Sequence, residues 1–280
     1  MAEGDTIFRA AAKLRDSIAG QVIRAADTGE TLAAQASTGQ PLRPVAPAVA
    51  AIRPETLAGQ TVTSIEARGK HLLMQLDDGR VLHSHMGMDG SWHIYSPGQP
   101  WQKPARHADL VLQFDHVIAV CFLPKVLELL TAAELQRHRW LTRLGPDLLA
   151  NEVDVDEVIG RFRRRNELPI GEAVMNQSIV SGIGNVYKSE LLFLDQLHPL
   201  TRVADVSDEK LASLITRARK LLQRNVHGEP RRTRFRGDGH SKWVYGRAGE
   251  ACLKCGETIR LTRQGDLGRT TYYCPRCQQR

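Results

Sequence analysis

Apolar residues recur with a helical period at the start of the chain. Between Asp5 and about Ala19 apolar residues stand at Ile7, Phe8, Ala11, Leu14 and Ile18, so that each has another three or four positions away. This spacing places them on one face of a helix, which can pack against a core. Gly20, a residue type that commonly ends helices, follows directly. The sequence therefore predicts one amphipathic helix over residues 5–19.

The period then changes to that of strands. Seven short segments are alternating or continuously apolar, with turn residues such as Asp77, Asp78 and Gly79 between them. They are Gln21–Ala26, Thr61–Arg68, His71–Asp77, Val81–His85, Trp92–Tyr95, Asp109–Phe114 and Val117–Phe122. Many short strands predict a β-sandwich or a β-barrel. The segment 28–54, rich in Ala, Pro and Thr, follows neither period; we expect a mobile loop and a short helix near residues 44–52.

Helical spacing returns after residue 150. Four segments carry it: Val153–Arg164, Glu172–Gln177, Val186–Leu194 and Asp208–Asn225. We therefore predict an α+β protein of several domains. Residues 1–150 form a helix-flanked β-sandwich domain, residues 151–238 a helical domain, and residues 239–280 a small C-terminal module.

Four of the five cysteines lie in that module, in two Cys-x2-Cys pairs. Eighteen residues separate the pair Cys252 and Cys255 from the pair Cys274 and Cys277. Such pairs bring four thiolates into the tetrahedral arrangement of structural zinc. Two disulfides are the alternative, but adjacent Cys-x2-Cys pairs favour one ion over two bridges. Zinc with four protein ligands has no open position, so we expect it to fold the module rather than to catalyse a reaction.

Basic residues are concentrated in the same part of the chain. Of the 38 Lys and Arg and 31 Asp and Glu, residues 219–280 contain 15 basic and only 5 acidic ones. The run Pro230–Arg236 contains four arginines, and Trp243 and Tyr245 follow closely. Cations mixed with aromatic rings indicate a polyanionic partner such as a nucleic acid. A solvated basic face is the alternative.

Three further features carry less weight. No apolar run approaches the ~20 residues that cross a bilayer, and the start lacks a signal-peptide core, so we expect a soluble intracellular protein without a membrane partner. Cys121 lies inside an apolar run, and we expect it to be buried and unreactive. His83 and His85 stand two apart on one predicted strand, and we assign them no metal because no third ligand is evident.

A tight turn, Gly182-Ile183-Gly184-Asn185, interrupts the helical half. Glycine lets the backbone turn sharply and approach a partner, Asn185 offers an amide, and the next helix offers its N-terminus. These features make a candidate phosphate clamp. An ordinary helix–helix connection would use the same residues.

The surrounding residues carry a resemblance to a known family. The segment Gln177–Glu190, QSIVSGIGNVYKSE, resembles the helix–two-turn–helix signature of the Fpg/Nei DNA glycosylases, formamidopyrimidine-DNA glycosylase and endonuclease VIII. Other segments are similar to family motifs in the same order: Arg68–Lys70, Leu144–Pro146, Val244–Arg247 and Gly268–Thr271. The likeness covers essentially the whole chain, and the start Glu3–Thr6 is most similar to the bacterial Nei-like branch.

The resemblance implies a fold and a chemistry. The family has a two-layered β-sandwich, a helix–two-turn–helix domain and a zinc finger, with DNA in the cleft between, and it acts as a bifunctional DNA glycosylase and AP lyase. After removal of Met1, the α-amine of the next residue, here Ala2, attacks C1′ of the damaged nucleoside, forms a Schiff base and cuts by β/δ-elimination. An unperturbed α-amine suits this role because its pKa of about 7.7–8.0 lies well below the ~10.4 of lysine. Glu3 resembles the family's acid that moves protons at the sugar.

The resemblance also implies DNA contacts. Lys70, Asn185 and Arg269 resemble the three phosphate ligands around the lesion, and Lys70 is further counted with Ala2 and Glu3 in the catalytic group. Met88 resembles the residue that fills the space of the flipped base. A solvated arginine and a buried methionine are the alternatives for Arg269 and Met88. The implied protein is a monomer without a small-molecule cofactor, cytoplasmic and associated with the bacterial nucleoid.

Three positions depart from the family pattern. Ala2 stands where most members have proline, and the imine of a primary amine must be protonated before it withdraws electrons. Thr6 stands where typical members have a second glutamate, which puts in doubt any carboxylate role there. The segment Cys121–Lys125 replaces the Asp-Pro-Arg-Arg-Phe-Gly loop of the Fpg branch, which favours oxidised pyrimidines over 8-oxoguanine as substrates.

Two other functions stay open at this stage. One is a binder of damaged DNA that has this fold but has lost catalysis, as Ala2 in place of proline would allow. The other is a zinc-ribbon regulator that binds nucleic acid. A regulator has no need of Glu3 or Lys70, whereas a silent glycosylase could retain both by inheritance.

Overall fold

A computed structural model describes residues 2–28, 52–227 and 230–280. The chain divides into two compact units, Ala2 with Thr6–Thr142, and Glu3–Asp5 with Arg143–Arg280. The helix expected near residues 44–52 falls almost entirely outside the described residues.

The first helix packs as its periodicity predicts. Helix α1 spans Gly4–Ile18, and its apolar stripe enters the core of the first unit through four buried residues, Ile7, Ala11, Leu14 and Ile18. Phe8 is only partly buried, so the stripe is narrower than the sequence suggests.

Within the described residues, eight strands of the first unit form two antiparallel four-stranded sheets. In chain order they are β1 (Ala25–Asp27), β2 (Val62–Arg68), β3 (His71–Leu76), β4 (Val81–His85), β5 (Ser91–Tyr95), β6 (Ala108–Gln113), β7 (Ile118–Phe122) and β8 (Val126–Leu130). One sheet has the order β1-β6-β7-β5 and the other β2-β3-β4-β8. Side chains of both sheets, such as Leu72 and Leu110, meet in one core. The predicted sandwich is thus confirmed.

Some predicted elements differ in the structure. The first strand begins at Ala25 rather than Gln21, because Val22 makes only an isolated bridge to Thr61. Strand β8 was not predicted, since its sequence VLELL does not alternate. The short helix α2 (Ala132–Arg137) was also missed, although Thr131 and Glu134 form a capping box at its start.

The second unit is helical and ends in a hairpin. Its helices are α3 (Val155–Arg163), α4 (Ile170–Ala173), α5 (Asn185–Leu194) and α6 (Asp208–Asn225), and its hairpin strands are β9 (Arg260–Gln264) and β10 (Arg269–Tyr273). The described chain also has 3₁₀ turns at Pro54–Thr56, Ala105–His107, Leu141–Arg143 and Val203–Asp205. Helix α4 begins and ends earlier than the predicted segment 172–177. Among the described helices, none has the length and apolarity to cross a bilayer.

Candidate functional site

Glu3 lies at the N-terminus of α5. Its carboxylate accepts three backbone hydrogen bonds there, from Val186 at 2.7 Å, Gly184 at 3.2 Å and Tyr187 at 3.3 Å. The side chain is fully buried. We expected this helix end to be open to a phosphate, but a carboxylate of the chain itself occupies it, because unpaired N–H groups and the helix dipole favour any anion that reaches them.

Two glycines allow this close approach. Gly182 has a φ of 106°, in the left-handed region, and its carbonyl accepts the N–H of Gly4 at 2.9 Å. A Cβ on Gly184 would lie 2.6 Å from Cδ of Glu3. The turn therefore needs glycine at both positions, and the partner it admits is the N-terminal segment of the chain.

A buried ion pair holds Asp5, two residues after Glu3. Arg231 donates to both carboxylate oxygens, at 2.6 and 2.7 Å, and the Tyr187 hydroxyl donates at 3.2 Å. Burial, with a contribution from the Asp5 charge, raises the pKa of the Tyr187 phenol well above its ordinary value, so this donor stays protonated. Burial alone would lower the pKa of Arg231, but its hydrogen bonds to Asp5 raise it overall. Asp5 and Arg231 are 226 residues apart, and no sequence pattern links them.

The basic run is not uniformly exposed. Besides Arg231, Arg234 is buried, pairs with Asp238 and lies 4.8 Å from the ring of Trp243. Arg236, in contrast, is exposed. Two of the four arginines in this run therefore bind carboxylates of the chain itself.

Ala2 lies beside the turn that carries Met88. The Ala2 backbone N–H donates to the Gly87 carbonyl at 3.2 Å, and its side chain packs against the first core. Met88, the next residue along, is 64% exposed, so the alternative of a buried methionine is wrong. The predicted nucleophile and the predicted wedge thus lie at one turn of the first unit.

Lys70 and a row of histidines occupy another part of the first unit. Lys70 follows Gly69, whose φ is 59°, in the turn between β2 and β3. The charge of Lys70 adds to burial in lowering the pKa of His85 to about 4, and makes a smaller contribution to lowering that of His71 to about 2. Both rings are therefore neutral at physiological pH.

The histidines form a hydrogen-bonded row. The Leu141 N–H donates to Nδ1 of His138 at 3.2 Å, so the proton of that ring is on Nε2, which lies 2.8 Å from Oε1 of Glu128. Nδ1 of His83 lies 2.7 Å from the same oxygen, and its Nε2 lies 2.8 Å from Nδ1 of His71. One neutral tautomer of each ring satisfies all of these bonds.

The ligand atoms of His83, Glu128 and His138 lie within 4.8 Å of one another. The view that His83 has no further ligand nearby is therefore wrong, because pairing of β4 with β8 sets it opposite Glu128. However, the bond from Leu141 keeps Nε2 of His138 protonated, and a protonated nitrogen has no lone pair for a metal. Hydrogen bonding accounts for this group without an ion.

We expect these neutral rings to make stability depend on pH. Unfolded histidine has a pKa near ~6.5, so the stabilisation is complete above that pH and is lost as the pH falls towards the folded value of about 4 for His85. His71 continues the loss below pH 4. Besides each other, the charged and titratable groups that face these two rings are Lys70, Lys125, His83 and His138.

Urea unfolding at several pH values will measure this loss, at most about 1.4 kcal/mol per pH unit for each histidine. His85→Asn should make the dependence between pH 6.5 and 4 shallower, whereas His116→Asn, at an exposed site, should not. Equal slopes for wild type and His85→Asn would contradict the prediction.

Asn185 and Arg269 lie on neighbouring elements of the second unit. Asn185, the first residue of α5, is 3% exposed, and its Nδ2 donates to Oγ1 of Thr270 at 3.2 Å. Arg269 precedes Thr270 at the start of β10 and is exposed. The structure therefore brings these two predicted phosphate ligands together.

Glu190 of α5 binds the segment that leads into the zinc module. Its buried carboxylate accepts the backbone N–H groups of Trp243, Val244 and Tyr245 at 2.7–2.8 Å and the Thr233 hydroxyl. On the same helix, the Ser189 hydroxyl accepts the N–H of Tyr272 of β10 at 3.2 Å. These bonds set the hairpin on the helix that carries Asn185.

The four module cysteines form one cluster. All four Sγ atoms lie within 4.8 Å of one another, with Cys255 and Cys274 at 3.5 Å and Cys252 and Cys277 at 3.9 Å. Tetrahedral Zn–S bonds of ~2.3 Å place sulfurs about 3.8 Å apart, so the donors fit zinc. No disulfide joins any of these four cysteines. Cys121 is buried, as predicted, and burial raises its pKa well above its ordinary value, which makes it unreactive.

Comparison with family models relates these features to known proteins. The model described as formamidopyrimidine-DNA glycosylase N-terminal domain matches residues 1–124, and that of the formamidopyrimidine-DNA glycosylase H2TH domain matches residues 144–236. A third model, a zinc finger found in FPG and IleRS, matches residues 249–280.

Curated relatives match over nearly the full length. "Probable endonuclease 8 2" of Streptomyces coelicolor is 38% identical, with 99% of this chain and 94% of that one covered. "DNA-(apurinic or apyrimidinic site) lyase Nei2" of Mycolicibacterium smegmatis is 32% identical, with 99% of both covered. Among solved structures, Lactococcus lactis formamido-pyrimidine DNA glycosylase bound non-covalently to DNA containing an AP site has a TM-score of 0.77 at 22% identity, with 100% of both chains covered. At this identity the structural match shows the fold.

Proposed function

The chain belongs to the formamidopyrimidine-DNA glycosylase and endonuclease VIII family, and from this membership we propose that it removes oxidised bases, pyrimidines above all, and cuts the DNA at the resulting abasic site. It is a DNA glycosylase with AP lyase activity in base-excision repair. We infer that it acts as a monomer, with structural zinc and no small-molecule cofactor.

The observation that carries this proposal is the position of Glu3. Glu3, the residue after Ala2, accepts hydrogen bonds from backbone N–H groups of the helix–two-turn–helix turn. These groups lie 181–184 residues further along the chain. Asp5 adds a second anchor through Arg231. An N-terminus that only begins a helix would need neither of these buried bonds, whereas an N-terminal nucleophile needs a fixed position.

The chemistry proceeds through the amine of Ala2. Once Met1 is removed, the Ala2 nitrogen attacks C1′, and the glycosidic bond breaks with its electron pair leaving on the base. The α-amine is partly neutral near pH 7–8 because its ordinary pKa is about 7.7–8.0. The C1′–O4′ bond then breaks, O4′ takes up a proton as the sugar ring opens, and a protonated Schiff base forms between C1′ and the Ala2 nitrogen. Loss of a C2′ proton from this Schiff base expels the 3′ phosphate, and a second elimination expels the 5′ phosphate. Glu3 exchanges protons with the sugar during these steps.

The preference for pyrimidines is supported by the link between β7 and β8. Only residues 123–125 join these strands, where the Fpg branch has its longer loop. Leu123 turns the chain with a φ of 49°, and its N–H donates to Oδ2 of Asp109 at 2.8 Å. We therefore expect exposed Met88 to fill the vacated space in the duplex without help from that loop.

Binding depends on Lys70, Asn185 and Arg269 as phosphate ligands. Asn185→Ala and Arg269→Ala should each weaken binding to damaged duplex by about 1.5–3 kcal/mol, as for a charge-assisted contact. Arg269→Ala should also flatten the salt dependence of binding by about 0.9 in the log–log slope, because one cation is lost.

Fluorescence anisotropy with an abasic-analogue duplex at several salt concentrations measures both quantities. Arg280→Ala, at an exposed site on the same module, is the control. If Asn185→Ala and Arg269→Ala both match Arg280→Ala in affinity and in the slope of the salt dependence, the DNA-clamp proposal is wrong.

A further inference from the structure

Lys188 is a buried cation that the mechanism above does not use. It lies on α5, three residues after Asn185, and only 1% of its surface is exposed. No hydrogen bond or ion pair joins its ammonium group to any residue of the described chain. Lysine is almost never buried to this extent without an anionic partner, so its three N–H donors are available to a ligand.

The charges around Lys188 leave room for an anion. Burial, with the nearby charge of Arg269, lowers the pKa of Lys188 to about 8, and the opposing charges of Glu172 and Glu3 do not restore it. Glu3 is committed to the backbone N–H groups of α5. Lys188 and Arg269 therefore repel each other, and an anion shared between them would relieve this repulsion.

Asn185 has unused hydrogen-bonding capacity on the same face of the helix. Residues three apart are neighbours on a helix surface, so Asn185 and Lys188 stand side by side. Oδ1 of Asn185 is buried without a partner in the described chain. If the amide turns by 180°, its oxygen accepts the Thr270 hydroxyl and its NH₂ takes the vacant position, which makes two donors available.

We propose that Lys188 is a further phosphate-binding residue, which together with Asn185 and Arg269 holds one phosphodiester group of the DNA strand that carries the lesion. Side chains must supply these donors because Glu3 occupies the helix N-terminus. The inference rests on the proposed function and adds to it one ligand of the DNA backbone.

The test compares Lys188→Met with Lys220→Met, which removes the same charge from an exposed site on α6. Binding to a tetrahydrofuran-containing duplex, which cannot form a Schiff base, is followed by fluorescence anisotropy at several salt concentrations. Lys188→Met should weaken binding about tenfold or more and flatten the salt slope by about 0.9, whereas Lys220→Met should do neither.

Equal behaviour of the two lysine variants, with Arg269→Ala still impaired, would overturn this inference and leave the proposed function standing. If Lys188→Met, Arg269→Ala and Asn185→Ala all bind the duplex as tightly as wild type does, the proposed function itself is rejected. If Lys188→Met binds as wild type but loses borohydride trapping at saturating DNA, Lys188 acts in the chemistry and the phosphate role is wrong.

A second measurement uses the wild-type protein, in case Lys188→Met does not fold. The ¹⁵N resonance of the Lys188 ammonium is titrated with pH in free protein, with the tetrahydrofuran duplex, and with inorganic phosphate at equal ionic strength. The duplex should raise the pKa from about 8 by at least one unit. An unchanged pKa, or an equal rise with inorganic phosphate alone, would overturn the assignment to the DNA backbone.

Discussion

Protein with one extra residue ahead of Ala2 will fail to cross-link to abasic-site DNA under borohydride, whereas protein with a free Ala2 amine will be trapped. The extra residue moves the α-amine by ~3.8 Å, and a displacement of ~1 Å from attack geometry can already cost ~10²-fold. The Ala2 nitrogen is held 3.2 Å from the carbonyl oxygen of Gly87, so the amine of an added residue cannot easily take its place. Retention of Met1 should block the reaction in the same way.

Ala2→Pro with a free N-terminus is the matched control. It should preserve or raise lyase activity, because a proline iminium carries its charge permanently. Mass spectrometry of the trapped adduct identifies the amine. Efficient trapping by the extended protein, with the adduct on Lys70 or Lys188, would shift the nucleophile to a lysine. Absence of trapping in every form would favour a binder of damaged DNA that has lost catalysis.

Cys255→Ser will lose zinc and with it most of the affinity for DNA. Structural zinc supplies on the order of 10–16 kcal/mol of apparent binding free energy to a small module, which is also its folding free energy. Cys255 lies 3.5 Å from Cys274 through their sulfurs, inside the cluster that orders the hairpin carrying Arg269. The first unit should stay folded because it has its own core.

Cys121→Ala provides the control, since it removes a cysteine from that first core and should leave one zinc per chain. Metal analysis measures the zinc, anisotropy the DNA affinity, and hydrogen exchange of the β-strands the folding of the first unit. A full complement of zinc in Cys255→Ser, or pure wild-type protein that contains none, would contradict the zinc assignment.

The same structure explains why a conservative change near the N-terminus is expected to be costly. Glu3 and Asp5 are both fully buried, one against helix N–H groups and the other against Arg231. Removal of one partner leaves a buried polar group unsatisfied, which costs more than the bond itself contributes. For variants at these positions, folding should therefore be measured before a loss of activity is attributed to catalysis.

Local patterns in the sequence determined much of the outcome. The four-cysteine spacing predicts the zinc cluster because metal ligands in this motif come from short, nearby segments. The stripe on α1 and the span of α6, predicted as Asp208–Asn225, follow from helical period alone. Strand β8 and helix α4 were missed or misplaced, because short elements depend on their neighbours more than on their own period.

Only the tertiary structure decided how distant residues meet. Glu3 reaches the turn before α5, and Asp5 reaches Arg231 across 226 residues. The row from His71 to His138 exists because β3, β4 and β8 pair side by side. In the sequence, nothing distinguishes Lys188 from an exposed helix residue. Its burial follows from the packing of β10 on α5. Periodicity assigns residues to faces, but burial and pairing depend on what covers each face, which only the folded chain specifies.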